Sequence, residues 1–291
     1  MSVYTRDRSQ FWLGIFDNDD SSINISATNK VKYMIDYFFT ELVDCSPKEW
    51  TPSKNRPNIQ SLWIPDALMD WDQLELLKEW ADQANQYIWL GTNRYTHDLF
   101  HGAELDYCVA ADWNFSFEGK GRTAVGEAEY QLKYQFPKRI VTESARAKYA
   151  SVLMQAITGC IQKFPYDLKR FVVTTIPSVE NNQNKLSWQL ARYVANHMGI
   201  PFIGVTLTRN KPQIKEQIVE DKIRIWREIY SDNAYLLLPQ SILSKDILII
   251  DDLYQSGASI WCFAEFLKKK CKARTVLAAT SVKSVSDGDN K

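Results

Sequence analysis

One thirteen-residue stretch constrains this chain more than any other. Ile247-Leu248-Ile249-Ile250 runs without a polar position into Asp251-Asp252, and Leu253-Tyr254-Gln255-Ser256-Gly257-Ala258-Ser259 follows. Four apolar residues without alternation describe a strand buried on both faces, as in a parallel sheet covered by helices. Helical spacing resumes over Ile260 to Lys270. Carboxylates at the end of such a strand, and a Gly-containing loop that opens a helix, belong at the ligand crevice of an open α/β sheet. Free N–H groups and the helix dipole favour a phosphate there, Gly257 lets the backbone come close, and Ser256 and Ser259 add hydroxyl donors. The pattern reads as a sugar phosphate site, in which Asp251 and Asp252 accept hydrogen bonds from ribose hydroxyls or hold a hydrated Mg²⁺. The plainer alternative is an Asp-rich turn before an ordinary capped helix. A cap accounts for one Asp or Ser and leaves the second carboxylate without a role.

The surrounding sequence supports an α/β reading. Arg146 to Lys163 and Lys185 to Met198 have helical patterns, the latter closed by Gly199 with Pro201 beyond. Phe171 to Ile176, Phe202 to Leu207 and Arg274 to Thr280 read as strands, so strands and helices alternate as in a mostly parallel sheet. Charge divides the chain. Residues 1–125 carry 11 basic and 19 acidic side chains, a net of −8, while 126–291 carry 24 and 16, a net of +8. Seven of the ten Trp fall in the acidic part, which suggests two differently built domains, 1–125 and 126–291. In the first, order is expected from Val31, with a helix to Leu42. A strand at Leu62 to Ile64, a helix with Trp71 and Trp80 on its apolar face, and strands at Tyr87 to Leu90 and Tyr107 to Ala111 follow. Gly119-Lys120-Gly121 marks the connection.

No apolar run approaches the ~20 residues of a membrane helix. The first apolar stretch, Phe11 to Phe16, breaks into Asp17-Asn18-Asp19-Asp20, so neither secretion nor membrane insertion is expected. Five widely spaced cysteines, none in a CxxC pair, argue against a disulfide framework or a cysteine zinc site and for a reducing cytoplasm.

At Ile247 to Ser259 the chain resembles the type I phosphoribosyltransferases, whose signature is four apolar residues, two acidic residues and a Thr/Ser-rich loop around a Gly. Within that family it looks most like the ComF-type proteins of bacterial competence. The likeness extends over about 126–283. Leu132-Lys133-Tyr134 is similar to a Leu-Lys-Tyr, Thr175-Ile176-Pro177 to a strand-end Val-Pro, Leu186 to Ile200 to the next helix, and Arg209 to Gln213 to an Arg-and-Gln mobile loop. The resemblance implies a C-terminal phosphoribosyltransferase-like parallel sheet flanked by helices, with an N-terminal α/β extension. It implies that Asp251 and Asp252 contact the ribose hydroxyls of 5-phosphoribosyl 1-diphosphate (PRPP), with Mg²⁺, and that Tyr254, Gln255, Ser256, Gly257, Ala258 and Ser259 form the 5-phosphate loop. Lys185, Arg209 and Lys211 are the candidates to take up charge on departing diphosphate, and Arg224 and Arg227 are weaker ones. Two departures matter. Gln255 stands where purine-salvage members carry an Asp base, which disfavours hypoxanthine or guanine transfer. In Ser178 to Lys185, Lys185 is the sole cation, where ComF-type proteins have several Arg.

The expected activity is transfer or cleavage at ribose C1 of PRPP or a nucleotide. A looser resemblance is to the phosphoribosyltransferase effectors of bacterial conflict systems, some encoded beside retron reverse transcriptases and a winged-helix partner. It implies an antiphage toxin whose partners are a reverse transcriptase/msDNA complex or a winged-helix protein, with a homo-oligomer as the alternative assembly. The alternatives are a non-catalytic regulator or assembly subunit and a ComF-like competence protein. Three further features have duller readings beside functional ones. His97 and His101 are metal ligands or surface groups, Lys268 to Lys272 a nucleic-acid patch or a helix C-terminal charge cluster, and Trp113 to Phe117 a base platform or packing.

Overall fold

The computed structural model describes residues 1–53, 56–119, 121–138, 140–179, 184–212, 214, 217–232 and 234–286. The chain divides into two compact units, Met1–Trp89 with Gln162–Tyr166, and Leu90–Ile161 with Asp167–Lys291. This differs from the division at 125/126. Tyr107–Trp113, expected in the N-terminal domain, is a strand that pairs in parallel with Val276–Lys283, and cutting at 126 would separate them.

In the first unit, order begins well before Val31. Strands β1 (Ser2–Thr5), β2 (Trp12–Asn18) and β3 (Ser22–Thr28) precede helices α1 (Asn29–Phe38) and α2 (Thr40–Asp44). Strands β4 (Thr51–Pro52) and β5 (Ile59–Pro65) and helix α3 (Trp71–Ala84) follow. The sheet order is β1-β2-β3-β5-β4, and every pairing is antiparallel. Alternation is the signal that the polar composition of residues 17–30 obscures. Leu13, Ile15, Ile23, Ile25, Ala27, Leu62 and Ile64 are buried on one face, and Asp19 and Asp20 merely turn the hairpin. Asp70 caps α3 by accepting from the Gln73 N–H at 3.0 Å, and Leu74, Leu77, Trp80, Ala81 and Ala84 form its buried stripe. Trp80 meets Phe11, Phe38 and Phe39 with ring centroids 5.6–5.9 Å apart. Trp71, expected on the same stripe, is half exposed at the helix start.

Strand β6 (Ile88–Leu90) lies where the division falls. The second unit contains β7 (Tyr107–Trp113), α4 (Ala124–Tyr130), α5 (Glu143–Ile161), β8 (Phe171–Thr175) and α6 (Leu186–Met198). Then come β9 (Thr206–Leu207), α7 (Val219–Ser231), β10 (Leu236–Leu237), β11 (Asp246–Tyr254), α8 (Ala258–Lys269) and β12 (Val276–Lys283). The main sheet has the order β6-β7-β12-β11-β8, and β7, β12, β11 and β8 run parallel. Its strands do not alternate because both faces are covered: Ile247 to Ile250, Val173 and Leu277 to Ala279 are fully buried. The expected strand Phe202–Leu207 reduces to Thr206–Leu207 paired with β10, and Phe202 makes only an isolated bridge to Val173. Gly199 closes α6 at φ 66°, the left-handed geometry expected of it. Lys120 of the expected connection lies outside the described residues. Among the described residues no helix is long and apolar enough to cross a membrane.

Candidate functional site

β11 ends the buried run at Ile250 and carries Asp251 and Asp252 on its C-terminal segment, where Asp251 registers with Thr280 of β12. The chain then turns at Gly257, φ 85°, into α8. Among the described residues no side chain caps that helix, which leaves its first-turn N–H groups to an acceptor outside it. The loop is shaped from below. Tyr254 is buried, its hydroxyl accepts from Trp261 Nε1 at 3.0 Å, and the ring lies where a Cβ on Gly257 would have to go. From behind, Asn93 Nδ2 donates to the Ser256 carbonyl and Lys283 Nζ to the Gln255 carbonyl, each at 3.2 Å.

A cavity of about 580 Å³ opens over this loop, lined by Gln255 to Ser259, Asp252, Lys133, Lys211, Lys222 and Trp226. A second, of about 500 Å³, is lined by Ser178, Asn184, Lys185, Ser187, Asp251 and Asp252 among others. Lys133, Lys211, Trp226, Asp252 and Ser259 border both, which makes them two chambers of one site.

A charge cluster lies at the join. Helix α4 continues into a wider π-helical turn over Gln131–Gln135, which carries Lys133 one step from Glu129. Lys133 Nζ lies 2.9 Å from Asp252 Oδ2, and 3.2 Å from Glu129 Oε1 but outside hydrogen-bond geometry. Burial pulls the Lys133 pKa down, but Asp252 and then Glu129 outweigh it and hold the ammonium above its ordinary range. Burial raises Glu129, opposed by Lys133. Burial, and then the Asp252 charge, push Asp251 up to about 8. Three carboxylates thus share one ammonium. Lys211, exposed at the rim and 4.7 Å from the Trp226 ring centroid, has its pKa lowered by the surrounding protein and then by Lys185.

The structure therefore brings together Asp251, Asp252, Gln255 to Ser259, Lys185 and Lys211, and leaves other candidates elsewhere. Tyr254 points into the protein beneath the loop. Arg209 pairs with Asp232 at 2.6 Å, stacks on Tyr235 and borders neither chamber. Arg224 pairs with Asp221 and Glu228, and Arg227 with Glu265. Glu180 to Gln183 and Gln213 lie outside the described residues. His97 meets Asp98 at the surface, while Lys268 pairs with Asp106 and Lys269 with Glu265, as charges near a helix end do. Trp113 is buried against Phe117. Lys133, in the Leu132-Lys133-Tyr134 motif, joins the site through Asp252, a pairing that nothing local in the sequence signals.

Among the described residues no three or more His, Cys, Asp or Glu gather as a metal-ligand set. A Mg²⁺ held by one or two carboxylates, with water and phosphates completing its shell, would have to draw on Asp251 and Asp252 at the second chamber, where Asp252 already faces the Lys133 ammonium.

No family model matches the chain, and no curated protein does. Among solved structures, a hypoxanthine phosphoribosyltransferase from Staphylococcus aureus matches at 14% identity and a TM-score of 0.28, over 47% of this chain and 72% of that one.

Proposed function

We infer that the second unit binds a phosphorylated ribose, PRPP or a nucleotide, and acts at ribose C1 by transfer or cleavage. The observation that supports this most is the shared border of the chambers. The strand-end carboxylate Asp252 faces the same space as the uncapped start of α8. In this reading the 5-phosphate rests on Gln255 to Ser259, and Asp251 and Asp252 accept from the ribose hydroxyls. Lys185 and Lys211 face the leaving group, which departs from C1 with the bonding electron pair while the acceptor adds there. Asp251 and Asp252 would hold a hydrated Mg²⁺, whose chemistry when bound is to neutralise diphosphate charge. An effector role in antiphage defence is proposed with this activity on the sequence resemblance, and toxicity of the wild type but not of Asp251→Asn/Asp252→Asn is its expected mark.

Calorimetry with PRPP, ribose 5-phosphate and nucleotides, with and without Mg²⁺, tests the central reading. Binding is expected for the wild type and a loss of at least tenfold for Asp251→Asn/Asp252→Asn. Unchanged binding in that variant would overturn it. A diphosphate-release assay separates the second reading, a non-catalytic sensor, which the lone Lys185 in its loop favours. Binding without release over a panel of acceptors decides for the sensor.

A further inference from the structure

The first unit leaves one face of its sheet to polar and aromatic side chains. Leu13, Ile15, Ile23, Ile25, Leu62 and Ile64 point into the core, so by strand alternation Trp12, Gly14, Phe16, Ser22, Asn24, Ser26, Ser61 and Trp63 share the opposite face. The register aligns them in rows, Gly14 beside Ser26 beside Ser61, and Phe16 beside Asn24 beside Trp63. Gly14 has a specific use. A Cβ there would lie 2.5 Å from Phe16 Cε2 and 3.1 Å from Trp12 Cη2, so its absence lets both rings lie across the strand. The polar groups are organised, with Trp63 Nε1 donating to Ser22 Oγ at 2.8 Å and Ser26 and Ser61 hydroxyls 2.7 Å apart. Two exposed cations already sit on rings of this face, Arg56 over Trp12 and Lys48 over Trp63.

Charge is polarised along the strands. The end that carries Trp12 has Arg6, Arg8, Lys30 and Arg56 against Asp7, while the other end has Asp17, Asp19, Asp20 and Asp66. At the basic end a cavity of about 520 Å³ is lined by Trp12, Arg56, Lys30, Gln10, Asn29 and Asn58. Flat rings offer π faces, amides offer hydrogen bonds, and the excess of cations at this end favours an anionic ligand over a neutral sugar. We propose that this half-buried face of the first unit's sheet binds single-stranded nucleic acid, with bases displacing Lys48 and Arg56 from the rings of Trp63 and Trp12 and stacking there and on Phe16, and phosphates on Arg56 and Lys30. The surface is independent of the ribose phosphate site and stands if that reading fails.

The test uses the full chain and fluorescence anisotropy with labelled 20-nucleotide oligo-dT and oligo-U, with a duplex of equal length as control. Both single strands are expected to bind more tightly than the duplex, and a preference between them identifies DNA or RNA. Trp12→Leu/Trp63→Leu is expected to weaken binding by about tenfold or more. Arg56→Gln, a surface change that leaves folding intact, should weaken it by several-fold and flatten its salt dependence. Binding unaltered in both variants would transfer the activity to another basic patch and overturn the proposal. So would no binding at 100-fold protein excess, or Trp fluorescence that responds to neutral oligosaccharides but not to oligonucleotides.

Discussion

Replacing Lys133 by Met removes one ammonium from a group of three carboxylates, and the consequence is worked from its contacts. At an effective dielectric of about 20, each contact near 3 Å represents roughly 5 kcal/mol of Coulomb attraction, from which the cost of desolvating Lys133 must be subtracted. Breaking an enclosed ion pair on one side leaves a net loss of about 3–5 kcal/mol. Lys133 and Asp252 are only 27% and 14% exposed and Glu129 5%, so solvent does little to screen the loss. At about 2 °C per kcal/mol for a chain of this size, melting should fall by about 6–10 °C. The pH dependence is the sharper signature. Without Lys133 the folded-state pKa of Glu129, already raised by burial, rises further, so the folded state holds a proton that the unfolded state releases, while Asp251, pushed up to about 8, is already protonated over most of this range in the wild type. Carboxylates of this kind contribute stability below the unfolded pKa of about 4, and that contribution disappears as pH rises through the folded values. The melting difference between wild type and Lys133→Met should therefore be larger at pH 8 than at pH 5. Thermal melts by circular dichroism from pH 5 to 8 measure it, and Glu129→Gln/Lys133→Met should recover part of the loss at pH 8. A difference below about 1 kcal/mol, or one independent of pH, refutes the charge cluster.

Three other outcomes follow from the site. Asp251→Asn removes an acid that ionises only at about 8, so its stability relative to wild type should improve as pH rises from about 5 to 8 and level off above; a flat difference over that range in paired melts counts against the raised pKa. Gly257→Ala forces a left-handed residue and a Cβ into the Tyr254 hydroxyl, so it should cost about 2 kcal/mol or more in chemical denaturation and abolish PRPP binding by calorimetry. Arg209→Ala should leave PRPP affinity within twofold, whereas Lys211→Ala should weaken it at least fivefold; the reverse ranking would place the ligand elsewhere.

Legibility in the sequence followed the range of the interactions. The run Ile247 to Ile250 announced a two-sided strand because burial on both faces removes alternation, and Gly199 marked a helix end through local backbone chemistry. The antiparallel sheet of the first unit was missed because its alternation is written in short strands crowded with Ser, Asn and Asp, where average polarity hides period two. Trp71 followed helical spacing yet lies at the first turn, before the buried stripe begins. At the site, Asp251, Asp252 and Gly257 were visible because strand, turn and helix are contiguous. The partnership of Lys133 with Asp252 joins residues 119 positions apart, and the diversion of Arg209 to Asp232 depends on where a distant loop returns. No local pattern encodes either.

The Tyr254 hydroxyl that holds Trp261 beneath Gly257 has a thermodynamic corollary. A loop moulded over a buried aromatic pair, with two of its carbonyls already engaged, has given up its conformational freedom during folding. An arriving phosphate then meets donors that need little rearrangement, and association with this loop should be governed by desolvation of the anion rather than by ordering of the chain.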